Sequence, residues 1–179
     1  MTELIIALVI LAVIAITWIS VSNDLNKSIV KIDEAASGID VALTKRYDVL
    51  TKMIEVVKGY AKHEQETLFQ TIALRKDMSM QEKSAANDSM VQALSRINAL
   101  AENYPDLKAN TNFNTLQQSI SDVEEHLQAS RRLYNANVSS FNQKVVTFPI
   151  SIVANSKGLT KKDFFTAEES KREDVNINF

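Results

Sequence analysis

The sequence predicts an all-α protein: an N-terminal transmembrane helix followed by an elongated antiparallel three- to four-helix bundle. Three observations carry this. Residues 4–21, LIIALVILAVIAITWISV, hold no charge and contain twelve Leu, Ile or Val. The 179 residues include only three Gly and two Pro, far below the usual ~7% and ~5%, so strands and turns have almost no punctuation available. Beyond the first stretch, apolar residues recur at spacings of three and four over long tracts without proline, which is the period of an amphipathic helix. The implied organisation is an anchor at 1–22, a long-helix bundle at 23–149, and a tail at 150–179 docked back on the bundle.

At about 1.5 Å per residue the apolar stretch covers roughly 27 Å, close to the ~30 Å hydrocarbon thickness. Its twelve aliphatic residues contribute roughly -4 to -7 kcal/mol to insertion, which Thr17, Trp18 and Ser20 only partly offset. A cleaved secretory signal would show a basic start and a small-x-small cleavage site. Here Met1, Thr2 and Glu3 carry no cation, and VSNDLN follows the stretch. A buried core helix rarely runs this far without a charge. The stretch therefore reads as a retained membrane anchor. Lys27, Lys31, Lys45 and Arg46 follow it and nothing basic precedes it. The positive-inside rule then places the N-terminus outside and the bundle in the cytoplasm.

From Asn26 to about Lys76 the stripe is Ile29, Ile32, Ala36, Ile39, Leu43, Tyr47, Leu50, Ile54, Val57, Ala61, Leu68 and Ile72. It predicts one helix that could continue straight out of the membrane. Gly38 and Gly59 lie inside it, each permitting a close helix contact or marking a bend. Ser79 with Glu82 three residues on has the form of a capping box. A second helix is expected to start there, with Ala86, Met90, Ala93 or Leu94, Ile97 and Leu100 inward, and to stop at Tyr104-Pro105. After a connector at 106–110, Asn110 or Thr111 caps a third helix. Its inward face is Phe113, Leu116, Ile120, Val123, Leu127, Tyr134, Asn137, Phe141, Val145 and Phe148, and Pro149 ends it. Short loops would make neighbours antiparallel, giving an up-down-up order. In the tail, Ile150–Ala154 is a short apolar piece, 155–158 reads as a turn, and a helical turn is expected over Phe164 to Lys171. The pair Phe164 and Phe165 is expected to dock into a groove of its own domain, with a partner or membrane contact as the alternative.

Composition excludes several chemistries. Net charge is -2 with cations and anions interleaved, so there is no electrostatic footprint for nucleic acid. The absence of cysteine rules out disulfides, thiol nucleophiles and thiolate metal sites. Of the two histidines, His63 opens HEQET, which resembles the zinc-protease pattern but has Thr67 where the second ligand belongs. His126 reads as a surface residue. Glu64 with Glu66, and Glu124 with Glu125, point around their helices rather than together. No phosphate loop, nucleophile elbow or dinucleotide fingerprint occurs. The chain is read as a non-enzyme with no metal and no cofactor.

The unusual chemistry is polar: Arg131, Arg132, Tyr134, Asn135, Asn137 and Asn142 lie along the third helix's stripe. Buried Tyr and Asn can hydrogen-bond across a bundle and fix its register; the same groups could instead form a partner or ligand site. Arg131 and Arg132 are expected to pair with acids of the first helix such as Asp48 or Glu55, for about 0–1 kcal/mol where exposed.

Several segments, in this order and spacing, together resemble the LemA family of small bacterial membrane-anchored helical proteins. They are Arg46-Tyr47-Asp48 and Val57-Lys58-Gly59-Tyr60-Ala61-Lys62-His63-Glu64; Tyr104-Pro105-Asp106-Leu107-Lys108-Ala109-Asn110 with Phe113; Arg131-Arg132-Leu133-Tyr134-Asn135, Phe141-Asn142 and Phe148-Pro149; and Phe164-Phe165. The likeness covers almost the whole length. It implies an anchored antiparallel bundle and supplies no catalytic residues. Where the family usually has Pro-Asn in its first long helix, this chain has Thr51-Lys52, which predicts a straighter helix. The candidate bundle-register or interaction residues are accordingly Arg46, Tyr47, Tyr60, Tyr104, Arg131, Arg132, Tyr134, Asn135, Asn142, Phe164 and Phe165. The expected function is a single-pass membrane scaffold or adaptor that forms homo-oligomers and binds other membrane proteins. The alternative is a membrane-shaping or envelope-signalling sensor that works through its bundle end or tail.

Overall fold

The computed structural model describes residues 1–60 and 78–166, and its regular elements are all helices. They are α1 (Thr2–Lys58), α2 (Met80–Asn103), α3 (Pro105–Lys108), α4 (Thr111–Val146) and α5 (Ile150–Ser156). The chain divides into two compact units. The first comprises Met1–Ala36 and Leu133–Asp163, the second Ser37–Arg132 and the tail from Phe164.

In the first unit, α1 begins with the apolar stretch, long and apolar enough to cross a membrane and with none of its span buried by protein. Its aliphatic side chains from Leu4 to Ile19 are all exposed, which suits a lipid surround. The Thr17 hydroxyl donates to the Val13 carbonyl at 2.7 Å, so this polar group is satisfied within the helix, as a bilayer requires. Past the span, Leu25, Ile32 and Ala35 of α1 are buried, as are Tyr134, Val138, Phe141 and Val145 of α4 and Val153 and Ala154 of α5. The two long helices run antiparallel. Asn137 Nδ2 donates to the Lys31 carbonyl at 3.0 Å, and Lys144 Nζ lies 2.8 Å from Asp24 Oδ2 and 3.0 Å from Ser28 Oγ. Residues 150–156 form α5 where the sequence suggested only an apolar piece and a turn. Gly158, at φ 66°, closes it. Leu159 N–H donates to Ala154 O and Gly158 N–H to Asn155 O, the paired bonds of a Schellman cap.

In the second unit the core is Leu50, Met53, Ile54 and Val57 of α1, Met90, Ile97 and Ala101 of α2, Leu107 of α3, and Phe113 and Ile120 of α4. Ser79 caps α2: its Oγ accepts from Glu82 N–H while Glu82 Oε2 accepts from Ser79 N–H. Asn110 Oδ1 accepts from the N–H groups of Asn112 and Phe113 and caps α4. Both caps stand where the sequence placed them. The connector is ordered as α3, because Leu107 has an apolar core to enter and Pro105 is tolerated in a first turn.

Three expectations change. First, α1 stops at Lys58 rather than near Lys76; Gly59 and Tyr60 turn off it through N–H donation to Val56 O and Val57 O, and the remainder of the predicted helix lies outside the described residues. Second, α2 does not return alongside α1. Asp40 pairs with Lys83 and Arg46 with Asn87, so the two helices run in the same direction. The antiparallel member is α4, shown by Gly38 beside Ser130, Arg46 near Glu124 and Asn98 bonded to Gln117. Third, α4 ends at Val146 and leaves Phe148 77% exposed, outside the stripe assigned to it. Residues 164–166 are not helical, and those beyond lie outside the described residues. Helix α1 passes unbroken through Thr51, whose hydroxyl donates to Tyr47 O at 2.9 Å.

The two glycines inside the predicted first helix have different uses. A Cβ on Gly38 would meet Ser130 Oγ at 3.2 Å and Ser130 Cβ at 3.7 Å, so Gly38 admits α4, whereas Gly59 ends the helix. Gly38→Ala combined with Ser130→Ala leaves only the ordinary 3.7 Å contact. It should raise stability by up to about 1 kcal/mol through helix propensity, read from urea denaturation of the full chain in detergent.

Candidate functional site

The second unit carries a polar cluster at a core position. Arg46 sits three residues after Leu43 and four before Leu50 on the buried stripe of α1 and is 2% exposed. Asn87 and Ser84 hold the matching stripe of α2, at three-residue steps before Met90, and are also buried. Arg46 Nη1 donates to Asn87 Oδ1 at 2.8 Å. Arg46 Nη2 lies 4.0 Å from Glu124 Oε2 on α4. Arg46 Nε is buried without a hydrogen-bond partner among the described residues. One guanidinium thus addresses all three long helices of the unit.

Charge at this depth is costly. Burial pushes the Arg46 guanidinium down from its ordinary value; Glu124 and, more weakly, Asp88 oppose the shift, and neighbouring Arg131 adds to it. Arg131 is shifted down too, first by burial, with Asp88 and Glu124 opposing. A guanidinium tolerates this where an ammonium would not, because its charge is delocalised and its planar donors can be met separately. The acids that act on Arg131 are thus Asp88 of α2 and Glu124 of α4 rather than Asp48 or Glu55 of α1. Arg131 also stacks on the tail, its Cζ 4.7 Å from the centre of the Phe165 ring, a cation–π arrangement. Phe165 is buried, and Ser84 Oγ donates to Thr166 O at 2.6 Å beside it. Phe164 points outward and is exposed, so one member of the pair docks.

The tail is also gripped in the first unit. Asn142 Nδ2 donates to Lys162 O at 2.9 Å and Asn142 Oδ1 accepts from Lys162 N–H at 2.8 Å. Tyr134, itself buried, donates its hydroxyl to Asp163 O at 2.9 Å. Burial raises the Tyr134 phenol above its ordinary 10.0, with Asp163 and Asp33 adding to the shift. A raised folded value means that stability is complete below the unfolded phenol range, near pH ~10, and is lost as pH rises through the folded value. The chain should therefore weaken in strong alkali along with late phenolate absorbance at 295 nm. Tyr134→Phe should abolish that component while costing about 1 kcal/mol at neutral pH.

The other candidates are dispersed. Tyr47 and Tyr104 pack against the core of the second unit, Tyr104 ending α2 with N–H donation to Ala101 O. Tyr60 Oη accepts from Asn110 Nδ2 at 3.0 Å. Arg132 is exposed and Asn135 half-buried on α4. His63 lies outside the described residues, and His126 is exposed. Among the described residues no group of three or more His, Asp or Glu is arranged for a metal ion. Sequence reasoning missed Asn87 and Ser84, although their place on the Met90 stripe was a usable signal.

An apolar helix fit to cross a membrane, joined to helices locked by a buried arginine, defines the class: a membrane-associated helical protein. The chain matches the LemA family over residues 35–179. It is 32% identical over 168 residues to Protein LemA of Metamycoplasma hominis, covering 90% of this chain and 76% of that protein. It is 24% identical over 80 residues to Magnetosome protein MamQ of Magnetospirillum gryphiswaldense, and 25% identical over 80 residues to Magnetosome protein MamQ 2 of Paramagnetospirillum magneticum. Each of these matches covers 45% of this chain and 29% of the relative. The chain belongs to the LemA family. No catalytic family is indicated by these likenesses.

Proposed function

We propose that the chain is a single-pass membrane scaffold or adaptor that self-assembles and binds other membrane proteins, with its bundle in the cytoplasm and its N-terminus outside. The observation that supports this most is an open groove in the second unit between α1 and α4. Gly38, Ala42 and Ser130 form part of its floor and Val41 is an exposed apolar lip. Small residues let a further helix approach closely, and a bundle of three long helices has room for a fourth. Lys45 and Lys52 on the α1 side and Asp122 on the α4 side give the rim both signs of charge, which suits a second copy of this chain.

Because the chain has no cysteine, Val41→Cys introduces a single thiol at the groove. Bismaleimide treatment of native membranes holding this variant at native expression should give a discrete dimer band. Monomers only would overturn self-assembly, and adducts of other masses would assign the groove to different membrane proteins. A reporter fused after residue 179 should be active in the cytoplasm; activity outside would reverse the topology.

A further inference from the structure

We propose that the corner between α4 and α5 is a second membrane contact of the first unit. In it, Phe148 and Ile152 enter the headgroup–acyl boundary around the exit of the span, and Lys157 stands at the level of the lipid phosphates. The proposal rests on reading residues 4–21 as membrane-spanning.

The corner lies level with the end of the span. Asn137 is bonded to Lys31 across the antiparallel α1–α4 pair, and the next tie, Lys144 with Asp24 and Ser28, keeps the same register. Nine residues along α4 from Asn137 reach its end at Val146. Nine residues back along α1 from Lys31 reach Ser22, immediately after the span. Phe148 follows Val146 in the turn, level with the last residues of the apolar stretch. The other side of the corner gives the same answer, since Lys157 Nζ lies 2.8 Å from both Ser22 Oγ and Asn26 Oδ1. A bilayer surrounds the helix that crosses it on every side, so a group exposed at this level meets the interface whichever way it faces.

The side chains at the corner suit that interface. Phe148 is 77% exposed and Ile152 52% exposed, with Val146 exposed beside them. Three apolar side chains exposed at one turn contribute nothing to the core of the unit. The two partners of Lys157 are neutral, so its charge is available to anionic headgroups, an attraction of about 1 kcal/mol per cation near the surface. An apolar group with a flanking lysine is the usual makeup of interfacial anchors, which lie about 5–10 Å into the boundary.

The test uses the full chain in nanodiscs of phosphatidylcholine and phosphatidylglycerol, with an environment-sensitive fluorophore on single cysteines. The positions are Phe148→Cys and Ile152→Cys, with Ala136→Cys as an aqueous control roughly 18 Å back along α4 and Ile10→Cys as a span control. Labels at 148 and 152 should lose most of their emission to shallow doxyl-lipid quenchers and little to aqueous iodide, and the label at 136 should do the reverse. Iodide quenching at 148 and 152 equal to that at 136 would overturn the contact. Failure of lipid quenching at 10 would instead overturn the span, so the two readings fail separately. If 148 and 152 remain lipid-quenched in phosphatidylcholine alone, the apolar contact stands and the part given to Lys157 is overturned.

Discussion

Asn87→Ala should destabilise the chain by about 2–4 kcal/mol, more than removal of the arginine it serves. The asymmetry follows from what each substitution leaves behind. Asn87→Ala strips a buried guanidinium of its 2.8 Å acceptor and keeps the charge in the core. The remaining ion pair to Glu124 is long, at 4.0 Å, and that carboxylate is 47% exposed, so solvent screens it. Arg46→Met removes the charge with its desolvation cost and leaves only the Asn87 carbonyl group short of a partner, a loss of about 1–3 kcal/mol. Arg46→Met with Asn87→Leu removes both halves and should recover wild-type stability or exceed it. Urea denaturation followed by circular dichroism orders the variants. If Arg46→Met proves the most damaging and the double variant no better, the buried arginine contributes net stability and the ordering expected above is overturned. The double variant is also informative when it is stable, because loss of a single oligomeric state in it would show the cluster acting on register.

Phe165→Ala should open a cavity and lose the ring under Arg131, with a cost of up to about 3–5 kcal/mol, whereas Phe164→Ala should change stability by about 0.5 kcal/mol or less. The neighbours differ because one is 2% exposed and the other 43% exposed. Tail release limits the loss for Phe165→Ala, so the sharper readout is local. Trypsin should cut after Lys161 or Lys162 faster in that variant than in wild type, and Phe164→Ala should match wild type. Equal cleavage in all three would show that Phe165 does not hold the tail.

Much of the fold was legible because the signals were local. The apolar stretch, the Ser79–Glu82 box, the Asn110 cap and the stop at Tyr104-Pro105 each act within one turn of helix. The direction of α2 was not legible, since it is read from pairings between residues about forty apart, Asp40 with Lys83 and Arg46 with Asn87. Gly59 inside an apolar period reads as a bend or a close contact, and neither reading marks the helix end found there. Helix α5 escaped notice because seven residues are too few to show a period, and its Schellman cap depends on one backbone angle at Gly158. In the polar cluster, Arg46 could be singled out but not its depth: an arginine on a stripe usually lies at the margin, and its burial here depends on partners from two other helices, Asn87 and Glu124. The pair Phe164 and Phe165 divides between inside and outside, and two adjacent identical side chains carry no local signal of which one docks.

The tail's hydrogen bonds point to where its route is encoded. Asn142 binds both main-chain groups of Lys162, Tyr134 binds the carbonyl group of Asp163, and Ser84 binds that of Thr166. These bonds use main-chain atoms of the tail, so the helices beneath it hold the instructions for its path. The exposed side chains of Lys161 and Lys162 are thereby released from holding the tail in place. They can vary between relatives, or take on a different chemistry, while the tail still follows the same course to Phe165.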